Sequence, residues 1–135
     1  MNLILLLATV CTQLWSTVAH GEMSAVSPDG RNRIRLLTEP LSVEVARDGQ
    51  PVIARSPIGL CIDGKRLGEG CAEPKVSCRR ISGTEASPVY KKGCIDLSCE
   101  ELVADFGDWC VRLAARNDGV AYRFETARTG EITVE

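Results

Sequence analysis

The run Trp-Cys-Val-Arg-Leu-Ala-Ala-Arg-Asn-Asp-Gly-Val-Ala-Tyr-Arg-Phe-Glu, residues 109–125, decides the fold. Trp109, Val111, Leu113 and Ala115 fall on one side of an extended chain, and Cys110, Arg112, Ala114 and Arg116 on the other. Side chains alternate faces in a strand, so this period of two predicts a half-buried strand. Asn117-Asp118-Gly119 follows, a turn signal because these residues tolerate positive φ. Beyond it Val120, Tyr122 and Phe124 share one face, and Arg123 and Glu125 the other. The result is a β-hairpin with one apolar and one charged face. A lone ribbon of this kind is unstable in water, so it needs further strands and a second layer over its apolar side.

The same alternation recurs upstream. Ser27-Pro28-Asp29-Gly30 is a turn signal, followed by Arg31 to Leu37, with Ile34 and Leu36 opposite Arg33 and Arg35. Pro40 interrupts. Leu41, Val43 and Val45 then alternate with Ser42, Glu44 and Ala46, and Arg47-Asp48-Gly49-Gln50 predicts a hairpin turn. Val52-Ile53 restarts a short strand, Ser56-Pro57 breaks it, and Ile58 to Asp63 resumes it before a turn at Asp63-Gly64-Lys65. Val76 to Ile81 reads as an edge strand, 83–88 as loop, and Val89-Tyr90-Lys91-Lys92 as a short strand ended by Gly93. Leu97 to Phe106 is readable as a helical turn or a strand, and its neighbours favour strand. Ile132 to Glu135 begins another. Many short strands punctuated by turns predict an all-β, antiparallel sandwich or barrel.

The chain has 135 residues, room for one domain at most. A formal net charge of -2 argues against a nucleic-acid footprint, which needs a basic face. The single His, at position 20, leaves nothing for Ser-His-Asp or Cys-His catalysis or for His-rich metal sites. Leu3 to Val10 is almost wholly apolar, and Thr17-Val18-Ala19 is a small-x-small site, so residues 1–19 are expected to be an export signal. A retained anchor is the alternative, although the apolar run is short for a membrane span. After signal cleavage no membrane association is expected.

Of seven cysteines, Cys11 falls in the signal. Cys61, Cys71, Cys78, Cys94, Cys99 and Cys110 remain. An even number in an exported chain makes these six disulfide candidates, with free buried thiols as the second reading. Six cysteines allow about 15 pairings, among which sequence cannot choose. No Cys-x-x-Cys occurs, so zinc is the weakest reading.

These features together resemble the N-terminal domain of glycoside hydrolase family 97, the bacterial α-glucosidase and α-galactosidase family. The resemblance rests on Ser27-Pro28-Asp29-Gly30 and on Leu41-Ser42-Val43-Glu44-Val45 leading through Asp48-Gly49-Gln50-Pro51-Val52 to Ser56-Pro57-Ile58-Gly59-Leu60. It rests further on the acidic strand near Glu101-Leu102 and, most specifically, on Arg116 to Phe124. It implies an antiparallel, galactose-mutarotase-like supersandwich, incomplete here, over residues 23–135. It also implies export to the periplasm or medium of a bacterium. In the family such a domain precedes and packs on a (β/α)₈ barrel that carries the catalytic carboxylates and most of the calcium ligands. No catalytic or metal residue can therefore be carried over, and no cofactor is expected in this chain. The six cysteines depart from the family pattern.

The residues themselves offer little chemistry. Glycoside hydrolysis needs two carboxyl groups facing each other across roughly 5–10 Å. Glu100 and Glu101 are neighbours that a strand sends to opposite faces. Asp105 and Asp108 flank Gly107 and read as turn residues. Trp109, Tyr122 and Phe124 could stack on a sugar ring, but they sit on the apolar side of the hairpin, where core packing is the simpler reading. Arg112, Arg116 and Arg123 form a basic stripe that could hold an acidic partner domain, with a solvated face as the default. The first reading is therefore a non-catalytic module that contacts carbohydrate or scaffolds an α-glycosidase barrel. The alternatives are a small secreted disulfide-bonded interaction protein and, last, a hydrolase in its own right. A partial sandwich is also expected to expose strand edges and to associate.

Overall fold

The computed structural model describes residues 22–89 and 91–135; the expected export signal, residues 1–19, and His20 lie outside them. Twelve strands form among the described residues and no helix. The first sheet is β1 (Glu22–Val26), β2 (Asn32–Thr38), β3 (Leu41–Arg47) and β4 (Gln50–Pro57), in that order and antiparallel throughout. Between the two large sheets in sequence lies a ribbon of β5 (Leu60–Ile62) and β6 (Lys65–Leu67). The second large sheet draws on β7 (Lys75–Ile81), β10 (Cys99–Asp105), β11 (Trp109–Arg116) and β12 (Gly119–Thr126), in the order β12-β11-β10-β7. A second ribbon, β8 (Thr84–Ala86) with β9 (Cys94–Asp96), interrupts it in sequence.

The two large sheets face each other, so the expected sandwich is present. Register places Ile34 opposite Val45 and Ala25, and Leu36 opposite Val43 and Met23, so one face of the first sheet is apolar. Leu102, Ala104, Val111, Leu113 and Ala115 come from the second sheet, and together these residues are the buried core. Packing between layers runs through β1 and β2 on one side and β10, β11 and β12 on the other. β4 and β7, furthest from that seam, stay exposed: Val52 is 63% accessible and Val76 48%.

Turn chemistry explains most connections. Asp48 and Gly49 both have positive φ, as do Asp63 and Gly64. These are the two-residue turns whose twist matches the flanking strands, and Asp-Gly supplies both conformations with little strain. Gly68 has a separate reason to be glycine. Its φ is +95°, and a Cβ there would lie 2.7 Å from Leu41 Cδ2. The segment after β6 thus presses its backbone onto the core.

Several readings need correction. β1 shows a weak sequence pattern and was not anticipated. β4 does not break at Ser56-Pro57; it runs on to Pro57, absorbing irregularity as register shifts against β3. Residues 84–86, expected as loop, pair with β9. Val89, Lys91 and Lys92, expected in a strand, are turn residues, and Tyr90 lies outside the described residues. Ile132 to Glu135 does not form a full strand. It makes one antiparallel bridge, Val134 to Ile62, flanked by backbone bonds between Cys61 and Glu135.

Candidate functional site

The Asn117-Asp118-Gly119 turn does more than reverse the chain. None of the three has positive φ, so the conformational reason given by sequence is not the operative one. Their polar groups instead tie the two sheets together. Asn117 Oδ1 accepts from the Asp29 amide at 3.0 Å, and buried Asn32 donates through Nδ2 to the carbonyls of Arg116 and Asn117 at 2.9 and 3.1 Å. Ser27 Oγ accepts from the Asn32 amide and donates to Asp29. Ser27 and Arg31, and only then Arg31 and Arg47 as charges, hold the Asp29 carboxyl below its usual range. The Ser27–Gly30 turn and the Arg116–Gly119 turn, 86 residues or more apart in sequence, thus form one corner.

A second tie lies along the same seam. Glu100, on the inward side of β10, accepts from the Val26 amide at 3.0 Å, which links β10 to β1. Glu101 points the other way, as alternation requires. It is buried on the outer face, 7% exposed, between Arg79 and Arg112. Burial pushes its carboxyl up, but the two guanidiniums outweigh burial and leave it below its usual value. Arg112 also reaches Glu125 with two bonds of 3.0 Å, and Arg123 meets Glu125 at 2.6 Å. Arg112 holds Glu125 down to about 2. Arg112 itself is pushed above its usual value.

The stripe of Arg112, Arg116 and Arg123 is therefore matched by carboxylates. Arg116 pairs with Asp118 at 3.2 Å and donates to the Asp96 carbonyl. Few free positive charges remain there for an acidic partner. Guanidinium–carboxylate forks of this kind lock side chains in a fixed geometry, which makes the outer face of β10–β12 a rigid charged surface.

The aromatic residues are brought together at the far end of the same hairpin. Phe106 and Trp109 stack with centroids 4.1 Å apart and planes 8° apart. Trp109 meets Phe124 at 6.0 Å, and Tyr122 meets Phe124 edge-on at 6.3 Å. Phe106, Trp109 and Phe124 pack on the core, as the simpler reading held. Tyr122 is the exception, 46% exposed.

Beside Trp109 lies an open hollow of about 290 Å³, lined among others by Asp105, Asp108 and Glu125. Two of these carboxylates are already engaged. Asp105 caps the turn by accepting from the Gly107 amide at 2.8 Å, and Glu125 is clamped by Arg112. A glycosidase acid needs a carboxyl raised toward neutrality. Asp29, Asp48, Asp96, Glu101 and Glu125, the carboxyls whose pKa is shifted, are all shifted downward. Among the described residues no three His, Cys, Asp or Glu side chains converge as a metal site would require. Among the described residues no helix is long and apolar enough to cross a membrane.

Cys61, Cys71, Cys78, Cys94, Cys99 and Cys110, the six disulfide candidates, are free thiols in the structure. Strand register explains part of this. Cys99 lies opposite Arg116, and Cys110 opposite Asp105, at the other end of the same strand pair. Six residues of strand separate those positions, about 20 Å, whereas a disulfide needs Cα atoms within about 7 Å. Cys78 sits opposite Leu102, on the inward face. Burial, then Glu100, pushes the Cys78 thiol up, and burial, then Glu125, does so for Cys110. Raised thiols of this kind are poor nucleophiles.

Comparison with known proteins gives a consistent result. The profile of the family described as Glycosyl-hydrolase 97 N-terminal matches residues 25–135. A retaining alpha-galactosidase of Bacteroides thetaiotaomicron is 30% identical over 123 residues, covering 89% of this chain and 18% of that protein. In structure, a glycoside hydrolase family 97 enzyme from Pseudoalteromonas sp. strain K8, solved with acarbose, superposes with a TM-score of 0.71 at 18% identity. The superposition covers 83% of this chain and 19% of that one. A beta-arabinopyranosidase superposes with a TM-score of 0.73 at 16% identity, covering 84% and 20%. The chain thus spans about a fifth of the length of each relative.

Proposed function

The chain belongs to the glycosyl-hydrolase 97 N-terminal family, and from that premise we propose that it is a non-catalytic β-sandwich module of an exported bacterial α-glycosidase system. Its role is to scaffold a (β/α)₈ barrel and to contact carbohydrate beside it. The observation that carries this reading is the extent of the family match, residues 25–135, which takes in both large sheets except the start of β1, and the corner that joins them. The clamped carboxylates support a non-catalytic role, since each is committed to an arginine or a turn amide. Calcium, in this reading, belongs to the barrel. This reading assigns the sugar contact to Tyr122, an exposed ring at the rim of a packed aromatic group.

The test has two arms. The purified chain is assayed for turnover of aryl α-glucosides and α-galactosides, and titrated calorimetrically with the unreactive disaccharides. The expected result is no turnover and weak binding that Tyr122→Ala removes. In the second arm the chain is expressed with a family 97 barrel from which its own N-terminal module has been deleted. Co-purification and recovered barrel activity are expected. Turnover by the chain alone overturns the non-catalytic assignment, and a barrel that ignores the chain overturns the scaffold role.

A further inference from the structure

The outer face of the first sheet carries a feature that the family reading does not use. Arg33 and Arg35 project outward from β2, opposite Ile34 and Leu36, which point into the core. Register sets Arg33 beside Ala46 and Pro51, and Arg35 beside Glu44. Long side chains therefore surround short ones. The depression they leave measures about 570 Å³, within the roughly 300–1,000 Å³ usual for ligand clefts.

Its charge is one-sided. Arg31, Arg33, Arg35 and Arg55 line it against one carboxylate, Glu44, an excess of three formal positive charges. Arg35 pairs with Glu44 at 3.1 Å, and Arg31 with Asp48 just outside the lining at 2.8 Å. Arg55 is held only by neutral acceptors, Ser42 Oγ and the Glu39 carbonyl. No carboxylate meets Arg33 among the described residues. This contrasts with the second sheet, where Arg112 and Arg123 are matched by Glu101 and Glu125.

We infer that this depression is a docking surface for an acidic polypeptide segment, one that offers carboxylates to Arg33 and Arg55 and small aliphatic side chains to the floor. Guanidinium forks match carboxylates in geometry as well as charge. The remaining lining, Val45, Ala46, Pro51, Ile53 and Ala54, is aliphatic. No Trp, Tyr or Phe lines the depression, so it lacks the flat ring on which a sugar or a nucleobase would stack. The contact is made across the face rather than by strand addition. Pro51 and Pro57 remove amides from β4, and register shifts distort it, both of which discourage edge pairing. The assignment stands apart from the scaffold role, which it does not require.

The test uses the purified chain and a fluorescein-labelled oligoglutamate peptide, with anisotropy read at low and at physiological salt. Binding that weakens as salt rises is expected, because exposed charges are screened over about 8 Å at 0.15 M ionic strength. The double variant Arg33→Glu/Arg55→Glu should weaken it about tenfold or more, and Arg33→Gln/Arg55→Gln by less. Lys65→Glu, on β6 away from the depression, should leave it unchanged. Circular dichroism checks that each variant keeps its strand signal, and if the Glu pair misfolds the Gln pair carries the test. Absence of binding, or equal loss in Lys65→Glu, overturns the proposal. Tighter binding of an oligogalacturonate than of the peptide also overturns it, by making the surface a site for acidic sugars.

Discussion

β4 and β11 are each eight residues long, and they behave as opposites. β11 alternates strictly, with Val111, Leu113 and Ala115 fully buried and Arg112 clamped on the reverse side. β4 has almost no buried residue, although Val52-Ile53 is as apolar a pair as any in β11. Hydrophobicity does not separate the two strands. Position does: β11 has a neighbour on each edge and a sheet across from it, whereas β4 is an edge strand beyond the seam where the layers meet. A side chain's contribution to stability is set by what the second layer covers, not by its own apolarity.

The largest expected effect tests that contrast directly. Leu113→Ala removes a fully buried side chain from the core it shares with Leu36 and Leu102, and large-to-small core changes of this kind cost about 2–5 kcal/mol. Val52→Ala, at 63% exposure, should fall within about 0.5 kcal/mol of the parent. Urea denaturation of the two variants measures both. If Val52→Ala costs as much as Leu113→Ala, something covers β4 in solution and the contrast between the strands fails.

The next effect sharpens the comparison at the corner where β11 ends. Asn32 is 5% exposed, and its amide satisfies the carbonyls of Arg116 and Asn117. Asn32→Ala leaves two acceptors without that donor, at a cost of about 1–3 kcal/mol. Asn32→Asp should cost at least as much, because a carboxylate there faces two carbonyls. Hydrogen exchange at the β11–β12 turn should speed up in both variants while β4 amides are unaffected. Equal exchange at the turn before and after the change would show that the corner does not hold β11.

The alternation around Leu113, the Asp-Gly turns and the all-β class were legible because each depends on neighbours in sequence. Asp48-Gly49 and Asp63-Gly64 need only local φ, and they form the turns that their composition specifies. What sequence could not give is whatever depends on the partner across the gap. Asn117 looked like a generic turn residue, and its role as a tie appears only once Asp29 lies beside it. Arg112, Arg116 and Arg123 read as a basic stripe although Asp118 and Glu125 stand in the same run, because pairing depends on register and Glu101 joins from another strand. The cysteine count suggested bridges, but register decides which sulfurs can approach each other, and a count carries no register. Val89, Lys91 and Lys92 read as strand from their residue types, yet they are turn residues between β8 and β9.

The smallest effect concerns the reverse side of β11, where charges rather than a second sheet hold the strand. Glu125 has its carboxyl held near 2 by Arg112, against about 4.5 when unpaired. A carboxyl whose pKa is lowered by folding contributes stability that is present above its unfolded value and is lost as pH falls toward the folded one. The contribution from Glu125 should therefore be complete above about pH 5 and fade between about 4.5 and 2, with Glu101 shifting in the same direction. Glu125→Gln should lower stability at neutral pH and make the decline below pH 4.5 shallower. A parent curve that is flat from pH 5 to 2 would mean that the outer face of β11 is merely solvated. β11 would then owe its order to its covered side alone, and the difference from β4 would reduce to burial.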